Sequence, residues 1–378
     1  MQEIYFDNAA TTRVSETAAE LAFDIMRKNY GNPSSQHSKG FEAVEALDFA
    51  RKQLAGALAC QTEELKFCSG GTEANNLAIF GAADTRKRRG KTIITTAVEH
   101  SSVLEPVKEL EKRGFTIHII PPLSDGAADK QAILDAVNDD TILVSCMMVN
   151  SETGAISDIN ALGRELKRKK SSALFHCDAV QAFGKLPISL RSSPVDLLTI
   201  SSHKIHAPKG SGALFVRSDV RISPILFGGG QENCLRAGTE STPLICAFGL
   251  MAQEMAKNRE KNLAHVQSLA EYFRKKAGET AGICINSPEN GIPYIQNISV
   301  PGWRSQTMLN RFSEEGIYIS SGSACSKGKL SYVLSAMGLS RERIDSALRI
   351  SFCYENTTNE IDIFFENLKA AMLQLAKK

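Results

Sequence analysis

The chain has 378 residues, 43% hydrophobic and 23% charged, with a formal net charge of +2. These are the proportions of an ordinary globular protein, and they offer no basis for direct nucleic-acid binding or a membrane anchor. The length exceeds what one hydrophobic core usually serves, so two domains are the first expectation. The nine cysteines are an odd number, scattered, without a CxxC pair or metal-ligand spacing. That pattern predicts free, mostly buried thiols in a reducing cytoplasm and no metal site. The opening Met1-Gln2-Glu3-Ile4-Tyr5-Phe6 lacks the basic and apolar blocks of a secretory leader. No apolar run approaches the roughly 20 residues that span a bilayer.

In chain order, the first element of note is a glycine turn, Cys68-Ser69-Gly70-Gly71-Thr72-Glu73-Ala74-Asn75-Asn76, between a strand and a helix. Then come a strand at Thr92–Thr96, a helix over residues 103–113, a strand at 142–148 and a helix at 159–170. Further strands fall at 173–177, 197–200 and 213–216. These strands are continuous apolar runs, as expected for parallel strands buried on both faces, and the alternation with helices predicts a mainly parallel α/β sheet. The basic clusters at 86–91 and 167–170 each follow an apparent helix and read as helix-end cations. A long helix over residues 244–277 leads to a smaller α+β region with strands at 295–300, 317–319 and 348–352.

Five local features could carry chemistry. The glycine turn would let backbone approach an anion at a helix N-terminus, although such turns are often only turns. Glu99-His100 follows a strand whose C-terminal end should line a ligand crevice, where an imidazole could stack on a flat cofactor or serve structure alone. Asp178 ends a buried strand and needs a cationic or hydrogen-bonding partner, unless it is a helix N-cap. Lys204 follows the strand and Ser201-Ser202-His203, a place from which its amine could form a Schiff base. Finally, Cys325 sits among Ser320-Ser321-Gly322-Ser323-Ala324 and Ser326-Lys327-Gly328-Lys329, small residues and cations that favour an exposed thiolate, although taken alone it reads as an ordinary loop cysteine.

This combination resembles cysteine desulfurases of the NifS/IscS type, within the class V aminotransferase family. The resemblance runs from Tyr5-Phe6-Asp7-Asn8-Ala9-Ala10-Thr11-Thr12 through Gly31-Asn32-Pro33, Ser69 to Glu73, His203-Lys204 and Arg236-Ala237-Gly238-Thr239 to Ser320–Cys325 and Leu348-Arg349-Ile350-Ser351. It implies a homodimeric fold-type I enzyme that uses pyridoxal 5'-phosphate (PLP), with active sites near the subunit interface. Residues 16–255 would form the large PLP-binding domain and residues 256–378 the small domain carrying the Cys325 loop. Residues 1–15 would pack with the small domain.

By the same resemblance, Lys204 would bind PLP covalently. Gly71, Thr72, Ser201, Ser202 and His203 would hold its phosphate, joined by Thr239 of the other subunit. Asp178 would pair with the ring nitrogen, Gln181 and Ser151 would contact the cofactor, and His100 would stack on the ring and move protons. Arg349, with Asn32, would clamp the substrate carboxylate. L-Cysteine would become L-alanine, and the sulfur would pass as a Cys325 persulfide to an acceptor, such as an iron–sulfur scaffold or a tRNA-thiolation enzyme.

Three departures stand out. Ser151 replaces a usual Asn, the run after Cys325 is about two residues short, and Cys353-Tyr354 stand where Gly-Arg is usual. They motivate one alternative, a weakly active PLP-binding scaffold in a sulfur-transfer complex; a selenocysteine lyase or another class V aminotransferase, which would need the same Lys204, Asp178 and glycine turn, stays open beside it.

Overall fold

The structure is a computed structural model and describes residues 3–321 and 330–375. Its strands in chain order are β1 Ile4–Tyr5, β2 Leu65–Cys68, β3 Thr92–Thr96, β4 Thr116–Ile120, β5 Thr141–Ser145 and β6 Leu174–Asp178. They continue as β7 Leu197–Ser201, β8 Gly212–Val216, β9 Cys284–Ile285, β10 Ile295–Ser299, β11 Ile317–Tyr318 and β12 Ala347–Ser351. Seven of them form the central sheet in the order β2-β8-β7-β6-β5-β3-β4. The pairs β4–β3, β3–β5, β5–β6 and β6–β7 are parallel, while β8 runs antiparallel to both β7 and β2.

The mainly parallel α/β sheet expected from the apolar runs is therefore present, with one difference. Residues 213–216 read as one more parallel strand but form the antiparallel β8. The connection from β7 to β8, residues 202–211, is shorter than the dozen or so residues that a parallel crossover requires. The β4 strand stands at the sheet edge and is partly exposed along its length.

Two antiparallel turns of direction bring β2 back parallel to β7. Ser201, at the end of β7, pairs with Gly212, and Gly212 pairs with Cys68 at the end of β2. The C-terminal ends of β2, β3, β5, β6 and β7 consequently open on one edge, where ligands of open α/β sheets bind.

A three-stranded antiparallel sheet, β12-β10-β9, lies in the C-terminal part, and β1 pairs in parallel with β11. The main core holds Phe6, Phe273, Phe352 and Phe364, with Phe6 edge-on to Phe352 at 5.3 Å between ring centroids. A second cluster, with Leu77, Ile93, Val107, Leu143 and Leu214, packs helices Gly71–Arg86 and Ser101–Lys112 on the sheet. Helix Thr242–Gly278 starts with Pro243 in its first turn, where the missing N–H removes no helical bond. Among the described residues no helix is long and apolar enough to cross a membrane.

Candidate active site

Segments leaving the strand ends meet around a cavity of about 410 Å³. After β7 the chain makes a short 3-10 turn over Ser202–Lys204. The Ser202 hydroxyl hydrogen-bonds the backbone oxygens of Pro208 and Ser211 at 2.5 and 2.7 Å, which fixes that turn. Lys204 then points its Nζ at the carbonyl oxygens of Ala9 and Ala10, both at 2.6 Å. Burial, and then the nearby cations Arg349 and Lys185, push the Lys204 amine down to about 7, against the opposing pull of Asp7 and Asp178. At neutral pH a substantial fraction of the amine is uncharged, the form that attacks carbonyl carbon.

Opposite the lysine, Asp178 ends β6, only 6% exposed. Its Oδ2 accepts from Asn75 Nδ2 at 2.8 Å and its Oδ1 from the Val180 amide at 3.0 Å. Asn75 spends its other N–H on the Ser102 hydroxyl at 2.8 Å. That hydroxyl lies 2.8 Å from His100 Nδ1, which also accepts the Ser102 amide as the N-cap of helix Ser101–Lys112. Occupation of Nδ1 as an acceptor places the imidazole hydrogen on Nε2. Burial lowers the affinity of His100 for a second proton, partly offset by Asp178. His100 is thus a helix cap and a cavity wall at once, so its structural and functional readings were never exclusive.

On the anion side, Gly71 and Thr72 begin helix Gly71–Arg86, which has no side-chain cap. Its first N–H groups are left to whatever enters the cavity. A Cβ on Gly71 would stand 3.0 Å from Val180 Cγ2, so this close packing of helix against the Asp178 turn favours glycine. Next to it, Ser201 Oγ is buried without any hydrogen-bond partner among the described residues. His203 Nδ1 lies 3.2 Å from Thr11 Oγ1, and burial together with the Lys204 cation pushes its imidazole down to about 3.

Arg349 reaches the cavity from β12, donating to the Ser151 carbonyl at 3.0 Å and to Asp7 Oδ1 at 2.8 Å. Ser151 lines the cavity, and its backbone oxygen makes the contact with Arg349. Gln181 also lines it, donating from Nε2 to the Ala9 carbonyl at 2.8 Å.

Ten of the residues expected from sequence therefore line this one cavity: Gly71, Thr72, His100, Ser151, Asp178, Gln181, Ser201, His203, Lys204 and Arg349. Three do not. Ser202 turns its hydroxyl into the chain below, because adjacent residues leaving a strand face opposite sides. Asn32 is exposed, its Oδ1 accepting the Ser34 amide at 2.9 Å, and Thr239 is exposed as well. Cys325 lies outside the described residues.

Sequence reasoning assigned no role to several cavity groups. Asn75 stood inside the glycine-turn motif, where its buried helix face was the available signal. The Ala9 and Ala10 carbonyls carry no side-chain signature at all. Glu152 lines the cavity and accepts from the Ser331 hydroxyl at 2.5 Å, with its carboxyl pushed up by burial. Tyr332, another wall residue, donates to the Glu99 carbonyl at 2.6 Å.

Comparison with known proteins places this geometry. The family model Aminotransferase class-V matches residues 4–364. The cysteine desulfurase IscS of Colwellia psychrerythraea (strain 34H) is 39% identical over 381 residues, covering 98% of this chain and 92% of that protein. A solved NifS-like protein superposes with a TM-score of 0.94 at 36% identity, covering 99% of this chain and all of that one. The structure of SspA in complex with cysteine gives a TM-score of 0.83 at 32% identity, over 94% of this chain and 100% of that one. A match that spans nearly the whole chain, on a sheet whose strand ends carry these groups, settles the family: the chain belongs to the class-V aminotransferases.

Proposed function

We propose that the protein is a PLP-dependent cysteine desulfurase that converts L-cysteine to L-alanine and holds the sulfur as a persulfide on Cys325. The reading rests above all on one juxtaposition: a lysine amine and a buried carboxylate in the same cavity, beside a buried serine hydroxyl without a partner. A buried polar atom left unbonded costs about 1–3 kcal/mol. A phosphate oxygen would satisfy Ser201 Oγ, and the uncapped start of helix Gly71–Arg86 offers the same ligand its N–H groups. The donor set therefore fits PLP.

Gly71, Thr72, Ser201 and His203 would hold the phosphate, and Lys204 the aldehyde carbon. Asp178, steadied by Asn75, would keep a proton on the ring nitrogen, and Gln181 would donate to the ring oxygen. When bound, PLP supplies an electron sink for the electrons released at the substrate's Cα. The Nζ of Lys204 would serve as the base for the substrate's Cα proton. His100, with its hydrogen on Nε2, assists from the wall between Asp178 and Ser102. Arg349 offers a planar fork to the substrate carboxylate while Asp7 and the Ser151 carbonyl hold it in place. The balance needs no outside oxidant, since L-cysteine plus the Cys325 thiol gives L-alanine plus the Cys325 persulfide. An acceptor protein, an iron–sulfur scaffold or a tRNA-thiolation enzyme, then takes the sulfur.

We also read the chain as a cytoplasmic homodimer. Phe23, Tyr30, Phe41, Phe49 and Phe227 are all more than half exposed, an apolar surface that favours a second copy. Such a copy would bring Thr239 to its partner's phosphate site. Residues 16–255 serve as the PLP-binding domain and 256–378 as the small domain. The pairing of β1 with β11 supports placing residues 1–15 with the latter.

Purified protein loaded with PLP, given L-cysteine and a reductant, should release sulfide and alanine in equal amounts. Cys325→Ser should abolish sulfide release and keep the yellow colour of the bound cofactor. Full desulfuration by Cys325→Ser would refute the persulfide assignment.

A further inference from the structure

Lys185 is only 4% exposed and takes no part in the chemistry described above. Its Nζ donates to Gln181 Oε1 at 3.1 Å and lies 5.5 Å from the centre of the buried Tyr294 ring. Burying an ammonium group with a single amide acceptor and a ring face is costly. Among the described residues Lys185 has no carboxylate partner. Burial pushes its amine down to about 8. A side chain kept in so unfavourable a place calls for a task.

The neighbours of Gln181 define that task. An amide side chain has one end that only accepts and one that only donates, and the two ends have nearly the same shape. Here the accepting end faces Lys185, which has donors and no acceptor. The donating end faces the Ala9 carbonyl at 2.8 Å, which has only lone pairs. Two neighbours of opposite kind therefore lock the amide in one orientation. The same Ala9 oxygen receives Lys204 Nζ at 2.6 Å, so the lock shares an atom with the cradle of the reactive lysine. The second N–H of Gln181 has no protein partner among the described residues, and Gln181 lines the cavity.

We propose that Lys185 is a positioning residue: its ammonium group fixes the Gln181 amide so that an N–H, and never the amide oxygen, is presented to the cofactor's ring oxygen. The proposal rests on the PLP reading above and adds a residue that never touches the cofactor. Without Lys185 the amide can turn over and oppose its own oxygen to that of the ring. The ring oxygen then becomes more basic, and it tightens its hold on the proton it shares with the nitrogen of the lysine–cofactor bond. The charged or titratable groups acting on Lys185 are Arg349 and Cys353, and those acting on Lys204 are Arg349, Lys185, Asp7 and Asp178.

The experiment is a pH titration of the visible absorption of PLP-loaded protein for the unsubstituted chain, Lys185→Met, Gln181→Met and the double variant. Lys185→Met should raise the titration midpoint by about one pH unit, a tenfold change in proton affinity. In the Gln181→Met background it should add nothing, because the two residues act as one unit. An unchanged midpoint in Lys185→Met would overturn the proposal. So would a shift of full size in the Gln181→Met background, which would mean that the cation acts directly through space. Absence of a titratable visible band from the unsubstituted protein would instead overturn the PLP reading itself.

Discussion

The contact between Asn75 and Asp178 can be tested by turning its donor into a second acid. Asn75 is fully buried, and its Nδ2 lies 2.8 Å from Asp178 Oδ2. In Asn75→Asp two carboxyl groups of unchanged shape would face each other at that distance. Two full charges 2.8 Å apart, at an effective dielectric constant near 20, repel by about 6 kcal/mol. Protonating one of them costs about 1.4 kcal/mol for each pH unit above the ordinary carboxyl value near 3.9, or about 4 kcal/mol at pH 7. Protonation is the smaller cost, so the folded variant binds a proton that its unfolded chain does not. The new O–H···O bond takes the place of the N–H···O bond to Asp178 with similar strength, while the N–H that Asn75 gives to Ser102 Oγ is lost at every pH. The folded acid is thus raised above its unfolded value, and the variant loses stability as pH rises from about 4 towards that raised value. Compared with the unsubstituted chain, the deficit of Asn75→Asp should grow by about 2.5 kcal/mol between pH 5 and pH 7, on top of a constant loss from the Ser102 contact. Urea unfolding of cofactor-free protein at the two pH values gives the comparison. A deficit that is the same at both, or one below about 1 kcal/mol at pH 7, would refute the paired-oxygen geometry.

Ser201→Ala should leave cofactor-free stability within about 0.5 kcal/mol or raise it, because Ser201 Oγ has no protein partner to lose. The same change should weaken PLP binding by about 10- to 100-fold, the worth of one hydrogen bond to a charged group, as read by fluorescence titration. Uptake of PLP by cofactor-free protein should become faster as pH rises through about 7, because the Lys204 amine is held near that value by burial and by Arg349. Arg349→Met should move that midpoint upward, and a midpoint near 10 in the unsubstituted protein would contradict the electrostatic account.

Much of this was legible in the sequence because buried parallel strands leave continuous apolar runs, and the residues that follow them are delivered to one edge. The strand read at Thr92–Thr96 coincides with β3, Asp178 closes β6, and His100 and Lys204 follow β3 and β7 within a few residues. The β4 strand was harder to see, since an edge strand buries too little to need an unbroken apolar run. The direction of β8 depended on the length of its connection, a property of the chain path rather than of residues 213–216. In the site, Ser201 and Ser202 are chemically identical, and only the alternation of faces tells them apart. The Ala9 and Ala10 carbonyls belong to backbone, and the Glu152–Ser331 bond joins residues 179 positions apart. Neither leaves a local pattern. The role expected of Thr239 calls on a second copy of the chain, and within one chain Thr239 is exposed and outside the cavity.

The claim on which the rest depends is that the ε-amine of Lys204 is the group that captures the cofactor. Borohydride reduction of PLP-loaded protein, followed by proteolysis and peptide mass spectrometry, reads this directly. The account predicts one pyridoxyl-phosphate adduct, on the peptide containing Lys204. An adduct on Lys185 or another lysine, or no adduct from protein saturated with PLP, would contradict it.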